Sequence, residues 1–197
     1  MILGTGGISY FDVEQYSKQP DVTPVGFLDI NEETLRKWKE RFPAAEVDTD
    51  MGRLLVKTKP DVVSVCTPNH VHAPLTQAAL GAGCRVLCEK PMAMTLDEAV
   101  LMETARVKAY KLGAINFSYR NVTTFRLARE IIRAGELGRI HRMTVRYLQS
   151  FLGAAAQFVW RNDIKQAGFG ALGDLGVHML DGVAAFSLAD GRRRGQG

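Results

Sequence analysis

Cysteine is scarce in this sequence: of 197 residues only Cys66, Cys84 and Cys88 are thiols. An odd count with no paired C-x-x-C argues against a disulfide framework and against a structural zinc site. Cys66 and Cys88 stand in apolar runs, where a thiol serves as a small core filler. Long hydrophobic runs are missing as well; nothing approaches the roughly 18 apolar residues a membrane-spanning helix requires. Gly4 to Gly7 interrupt the first apolar segment too early for a signal sequence. These absences predict a cytosolic protein with no membrane partner. Charge of one sign is lacking too. The net charge of +4 leans on Arg192, Arg193 and Arg194, without which 22 basic residues face 21 acidic ones. A surplus held in a tail gives no basic face, which argues against nucleic acid as a partner. Histidine is rare, and His70 and His72 have no third ligand nearby in sequence, so no metal site is expected.

What is present is an ordinary globular composition, 46% hydrophobic and 23% charged. Over the first two-thirds, short apolar runs alternate with longer amphipathic ones. Strands are expected at 1–3, 22–28, 61–66, 85–88 and 114–117, and helices near 33–41, 51–57, 72–82 and 95–112. The last helix opens on a capping box, Thr95 with Glu98, and carries Leu96, Ala99, Val100, Val107 and Tyr110 at helical spacing; Gly113 suits its C-terminal cap. Gly83 closes the helix before it. This rhythm predicts an α/β fold, a doubly wound parallel sheet over residues 1–117. A second α+β domain then begins, at 118–189: a helix over 122–134 closed by Gly135, a strand over 140–151 with Met143, Val145 and Tyr147 on one face, an irregular stretch to 170, and a helix over 172–186. Residues 190–197 read as a disordered tail.

Gly4-Thr5-Gly6-Gly7-Ile8-Ser9 follows a strand and precedes a helix. In a dinucleotide-binding turn one glycine makes the bend, the next lets backbone approach a pyrophosphate, and the helix N-terminus supplies amide hydrogens. Ser9 occupies the place of the third small residue. Alone such a pattern is weak. Asp29 strengthens it, because it closes the second strand 22 residues after Gly7, near the spacing expected of a carboxylate that binds the adenosine ribose hydroxyls. That carboxylate repels a 2′-phosphate, so NAD is expected and NADP disfavoured. Asn31 is the better reading for the cap of the next helix.

Thr67-Pro68-Asn69-His70-Val71-His72 at one strand end and Cys88-Glu89-Lys90-Pro91 at the next resemble the Gfo/Idh/MocA family of oxidoreductases. Downstream, Trp160-Arg161 and Gly173-Asp174-Leu175-Gly176-Val177-His178 are similar to that family's Trp-x-Arg-like loop and Asp-x-x-x-His helix, in the same order, over residues 1–186. The resemblance implies a Rossmann-type domain and an enzyme that oxidises or reduces sugars, polyols or related hydroxyl compounds with NAD or NADP. It places Ile8, Thr67, Pro68, Asn69, His72, Glu89, Lys90, Trp160 and Arg161 around the cofactor, with Gly4, Thr5, Gly6, Gly7 and Asp29. It implies Lys90, Asp174 and His178 as the catalytic set. Oxidation of an alcohol needs a base for the hydroxyl proton, and an imidazole ordinarily titrates near neutrality. A helix puts Asp174 and His178, four apart, on one face. Asp174 orients the imidazole or binds a substrate hydroxyl, and Lys90 stabilises the developing alkoxide; which of Lys90 and His178 is the main base stays open. Tyr119, Arg120 and Asp181 are further polar candidates beside that set.

Both ends of the chain read as trimmed: the first strand is short, and the antiparallel sheet with which the family's second domain continues, and through which members form homo-oligomers, is represented by one expected strand. Besides the dehydrogenase, two other readings stand: a nucleotide-binding regulator or inactive truncated remnant, and a family-like lyase or glycosidase that recycles bound NAD.

Overall fold

The computed structural model describes residues 1–150 and 158–191. Six strands form one parallel sheet: β1 (Ile2–Leu3), β2 (Gly26–Leu28), β3 (Glu46–Asp48), β4 (Val62–Val65), β5 (Arg85–Cys88) and β6 (Gly113–Ile115), in the order β3-β2-β1-β4-β5-β6. β1 pairs with β2 on one side and β4 on the other. The order therefore reverses between β1 and β4, and in open parallel sheets ligands bind outside the carboxyl ends at that reversal.

Alternation along the strands divides the core into two layers. Ile2, Phe27 and Cys66 face Val13 of α1 (Ile8–Tyr16) and Leu35 and Trp38 of α2 (Glu32–Arg41). Leu3, Leu28, Val63 and Val65 face the other way, against Leu54 of α3 (Met51–Thr58), Ala79 and Leu80 of α4 (His72–Gly81) and Met102 of α5 (Leu96–Ala109). The strands are thus apolar on both faces, as a parallel sheet between helices requires.

Local signals read from sequence act largely as expected. Asn31 caps α2 by accepting from Glu33 and Thr34 amides, at 3.0 and 3.2 Å. Gly83 takes a positive φ just past α4. At α5, Thr95 Oγ1 accepts from Glu98 N at 3.2 Å, but the Glu98 carboxylate reaches Met94 N at 2.8 Å rather than the amide of Thr95. Three expectations need correction. Tyr110, not Gly113, takes the left-handed cap of α5 (φ 57°), and Gly113 opens β6. The apolar stripe of α5 is mostly outward: Leu96, Val100 and Val107 are exposed, and Met102 is the residue it buries. β3 was not expected at all; its sequence, Glu-Val-Asp, offers one apolar residue to detect.

The chain divides into two compact units, Met1–Asn116 and Phe117–Gly197. The second holds α6 (Thr123–Ala134), closed by Gly135 at φ 76°, then α7 (Ile164–Ala167), a π turn (Leu172–Gly176) and α8 (Val177–Gly191). α6 and α8 pack through Phe125 and Phe186, whose rings stack at 5.6 Å. The strand expected over 140–151 is not formed in its described part, residues 140–150. Apolar alternation makes a strand only where a neighbour takes up its hydrogen bonds, and the second unit has no other strand among the described residues. Of the irregular stretch expected over 152–170, residues 152–157 lie outside the described residues, as do 192–197 of the expected tail. No helix among the described residues is long and apolar enough to cross a membrane.

Candidate active site

The first unit gathers three loops at the carboxyl edge of its sheet. Gly4 ends β1 at φ 82°, and a Cβ there would lie 2.8 Å from Thr67 Cα and the Cys66 carbonyl carbon, so only glycine lets β1 and β4 meet this closely. Gly6 and Gly7 have nothing within 4 Å of where a Cβ would stand. They present bare backbone at the start of α1, where Gly7 supplies no side-chain cap to the first amides. Ser9 packs inward, fully buried, with its hydroxyl donating to Gly6 O at 2.8 Å. Ile8 is exposed beside them. Exposed backbone, uncapped helical amides and open space are what a pyrophosphate needs.

Asp29 sits half-buried at the end of β2. Its Oδ2 accepts from both the amide and the hydroxyl of Thr5, each at 2.8 Å, and its Oδ1 accepts from Asn31 N at 2.9 Å. Of the roughly four acceptor positions of a carboxylate, three are engaged by the chain itself. Thr5 is fully buried, and its carbonyl accepts from Trp38 Nε1 at 3.0 Å. Thr5 thus faces its own chain, not the open groove the sequence reading assigned it to.

His72 departs from expectation in the same way. It is fully buried, with Nδ1 2.8 Å from Pro91 O and Nε2 2.9 Å from Thr67 O. Burial lowers its pKa, and the two carbonyls act against that. It ties the Thr67 and Pro91 loops together from beneath and presents no surface to a ligand. Asn69 is buried beside it, in the turn Asn69–Val71 before α4, after a partly exposed Pro68. Glu89 accepts from Asn116 Nδ2 at 2.6 Å and, through Oε2, from Lys90 N at 3.3 Å. Burial pushes its carboxyl up, with Asn116 pulling the other way. Lys90 is half-buried directly past β5, on the same sheet edge as the glycine turn. Asp12, for which the sequence offered no signal, is buried under the turn and accepts from Cys66 Sγ at 3.4 Å; burial raises its carboxyl.

In the second unit His178 is buried and ringed by aromatics: Tyr119 at 4.5 Å, Phe117 at 6.3 Å and Tyr147 at 6.4 Å between ring centres. The hydroxyls of Tyr119 and Tyr147 share a hydrogen bond. That bond, then burial, pushes the Tyr147 phenol up to about 12. The sequence pattern puts Tyr147 on a strand face, whereas here it joins the aromatic side chains around His178. Asp174 lies in the π turn, and Arg161 Nε stands 3.6 Å from its Oδ1 while the Arg161 guanidinium rests on the Trp160 ring at 4.5 Å. π turns are frequent at functional sites. Asp181 is taken by Arg120, whose Nε donates at 2.8 Å, so this pair is a fixed ion pair and not an open acid. Among the described residues no cluster of His, Cys, Asp or Glu could hold a metal.

Comparison with known proteins agrees with this fold. The chain is 38% identical over 182 residues to D-glucoside 3-dehydrogenase of Escherichia coli K12, a match over 91% of this chain and 51% of that protein. An oxidoreductase domain protein from Kribbella flavida superposes with TM-score 0.81 at 32% identity, over 94% of this chain and 52% of that one. Levoglucosan dehydrogenase, solved with NADH and L-sorbose, gives TM-score 0.80 at 28% identity, over 94% and 51%. The chain spans about half the length of the relatives it matches. Residues 1–116 match the profile of the oxidoreductase family with an NAD-binding Rossmann fold, and residues 125–188 match the GFO/IDH/MocA C-terminal domain. The chain belongs to the GFO/IDH/MocA family of NAD-binding oxidoreductases.

Proposed function

We propose that this chain carries the cofactor site and the catalytic groups of an NAD-dependent dehydrogenase acting on a secondary hydroxyl of a sugar, polyol or related compound. The observation that carries the reading is the carboxyl edge of the first unit. There an open glycine turn, the Asp29 carboxylate held by Thr5 and the half-buried amine of Lys90 share one side of a parallel sheet. NAD, when bound, supplies the hydride acceptor. The residues do the rest. Gly6, Gly7 and the first amides of α1 hold the pyrophosphate, and Asp29 holds the adenosine ribose and disfavours a 2′-phosphate. Lys90 lowers the barrier to losing the hydroxyl proton by stabilising the developing alkoxide. In the second unit His178, held among aromatic neighbours, is the candidate base for a substrate hydroxyl, and Asp174, paired with Arg161, is a further polar group for substrate. The relative named for oxidation at position 3 of glucosides points to a pyranose hydroxyl as substrate. The enzyme works on small molecules in the cytosol, as a homo-oligomer.

The test is NADH formation across a panel of glucosides, free sugars and polyols. Lys90→Ala and His178→Ala should each lower turnover by about 10²–10⁴-fold, the usual span for acid–base groups, while NAD affinity stays near that of the parent. Variants that turn over as fast as the parent refute these roles. NAD binding without turnover on any panel member favours a nucleotide-binding regulator instead.

A further inference from the structure

We propose that Thr5 is a positioning residue that sets the choice between NAD and NADP: it clasps the Asp29 carboxylate in the one orientation that accepts from a ribose hydroxyl and opposes a 2′-phosphate. The inference rests on the NAD-binding reading above and extends it to a residue that never faces the groove. Thr5 is fully buried, so its side chain is no ligand of its own. Its hydroxyl and amide both donate to Asp29 Oδ2 at 2.8 Å. Two donors on one oxygen fix the plane of the carboxylate, and the Asn31 amide on Oδ1 at 2.9 Å fixes its roll.

The clasp itself cannot drift. Gly4 N, one residue earlier, donates to Leu28 O at 2.8 Å, and Trp38 Nε1 holds Thr5 O at 3.0 Å. Trp38 is in turn packed against Phe27 and Phe42, at 4.7 and 5.9 Å between ring centres. The position of the carboxylate is therefore referred to the aromatic core through a single residue. Without the Thr5 hydroxyl only the backbone amide remains on Oδ2, and the carboxylate gains freedom to turn about its Cα–Cβ bond. It then loses its hydroxyl partner in NAD and steps back from the phosphate of NADP, so one change weakens the first cofactor and relieves the second.

Thr5→Val keeps the volume and the amide donor and removes the hydroxyl donor. Fluorescence titration should show NAD affinity falling about tenfold, the scale of one charged hydrogen bond, with NADP affected less, so that the preference narrows. Thr5→Ser, which keeps the hydroxyl, should restore the parental ratio. Three-bond NMR couplings across Asp29 Cα–Cβ should report a single rotamer in the parent and averaging in Thr5→Val, with no cofactor present. If the valine variant does not fold, Thr5→Ala serves the same comparison. A folded variant lacking the hydroxyl that keeps the parental NAD:NADP ratio overturns the proposal, as does an Asp29 that already averages its rotamers in the parent. A parent whose Asp29 is fixed but which binds neither dinucleotide brings down the NAD reading and, with it, the selectivity role of Thr5, while the clasp stands.

Discussion

Gly4 and Gly6 stand two residues apart in one turn, and the structure assigns them opposite duties. Replacing Gly4 by alanine forces a side chain onto a backbone at φ 82° and drives its Cβ to 2.8 Å from Thr67 Cα and from the Cys66 carbonyl carbon. The left-handed backbone alone costs about 1–2 kcal/mol. The overlap is with backbone, not with the end of a flexible side chain, so relief requires β1 and the loop after β4 to part, at about 1–3 kcal/mol by the scale of overpacked cores. Together they remove about 2–5 kcal/mol from a domain whose whole stability is about 5–15 kcal/mol. Gly6 has neither constraint, since nothing lies within 4 Å of its Cβ position. Gly6→Ala should leave stability within about 1 kcal/mol of the parent, the usual scale for a loop glycine. The added methyl instead occupies space a pyrophosphate must enter, and NAD affinity should fall at least about tenfold, the loss of roughly 1.4 kcal/mol of contact. Urea denaturation with unchanged slope measures the first effect, and NAD titration the second. Equal destabilisation by the two substitutions, or undiminished NAD binding by Gly6→Ala, would refute the division.

Trp38→Phe keeps the stacked core but removes the donor to Thr5 O; stability should drop by about 1–3 kcal/mol, the penalty of a buried acceptor left unpaired, read by chemical denaturation. The Asp48 carboxyl is held down to about 2 by hydrogen bonds from the Arg53 guanidinium and then the Asp50 amide. A depressed carboxylate contributes stability above its unfolded value of about 4 and loses it as pH falls towards 2, so an NMR titration of Asp48 should centre near 2 and move up in Arg53→Gln. Cys66 and Cys88 are buried, and burial pushes both thiols up, Cys88 to about 12. Neither should react with a maleimide until the chain unfolds, and modification of either in the native state would show that the core opens.

How much could be read from the sequence depended on how local each signal was. Asn31, Gly83 and Gly135 announce helix ends because capping is settled within a few residues, and each takes the role expected of it. The glycine turn and Asp29 were legible as a pair because the fold fixes their separation. Longer-range facts were not. The face that α5 buries depends on what packs against it, so spacing alone could not say that Leu96, Val100 and Val107 point outward. Residues 140–150 carry the alternation of a strand, but pairing belongs to a partner that periodicity does not reveal. Thr5 and His72 are polar residues in suggestive motifs. Which way such a side chain turns is decided by neighbours far along the chain, Asp29 for one and Pro91 for the other.

The π turn at Leu172–Gly176 acts on the helix that follows it as a phase shifter. One extra residue is accommodated in that turn, and each residue of a regular helix advances the rotation by about 100°. Deleting a single residue between 172 and 176 would let the helix run on as an ordinary one, with every later side chain turned by about that angle. His178 would leave the face of Tyr119 and Asp181 would leave Arg120, though the composition of α8 would be untouched. Aligning α8 with its neighbours thus depends on residue count rather than residue identity in this short stretch. There a one-residue indel is a larger change than most substitutions.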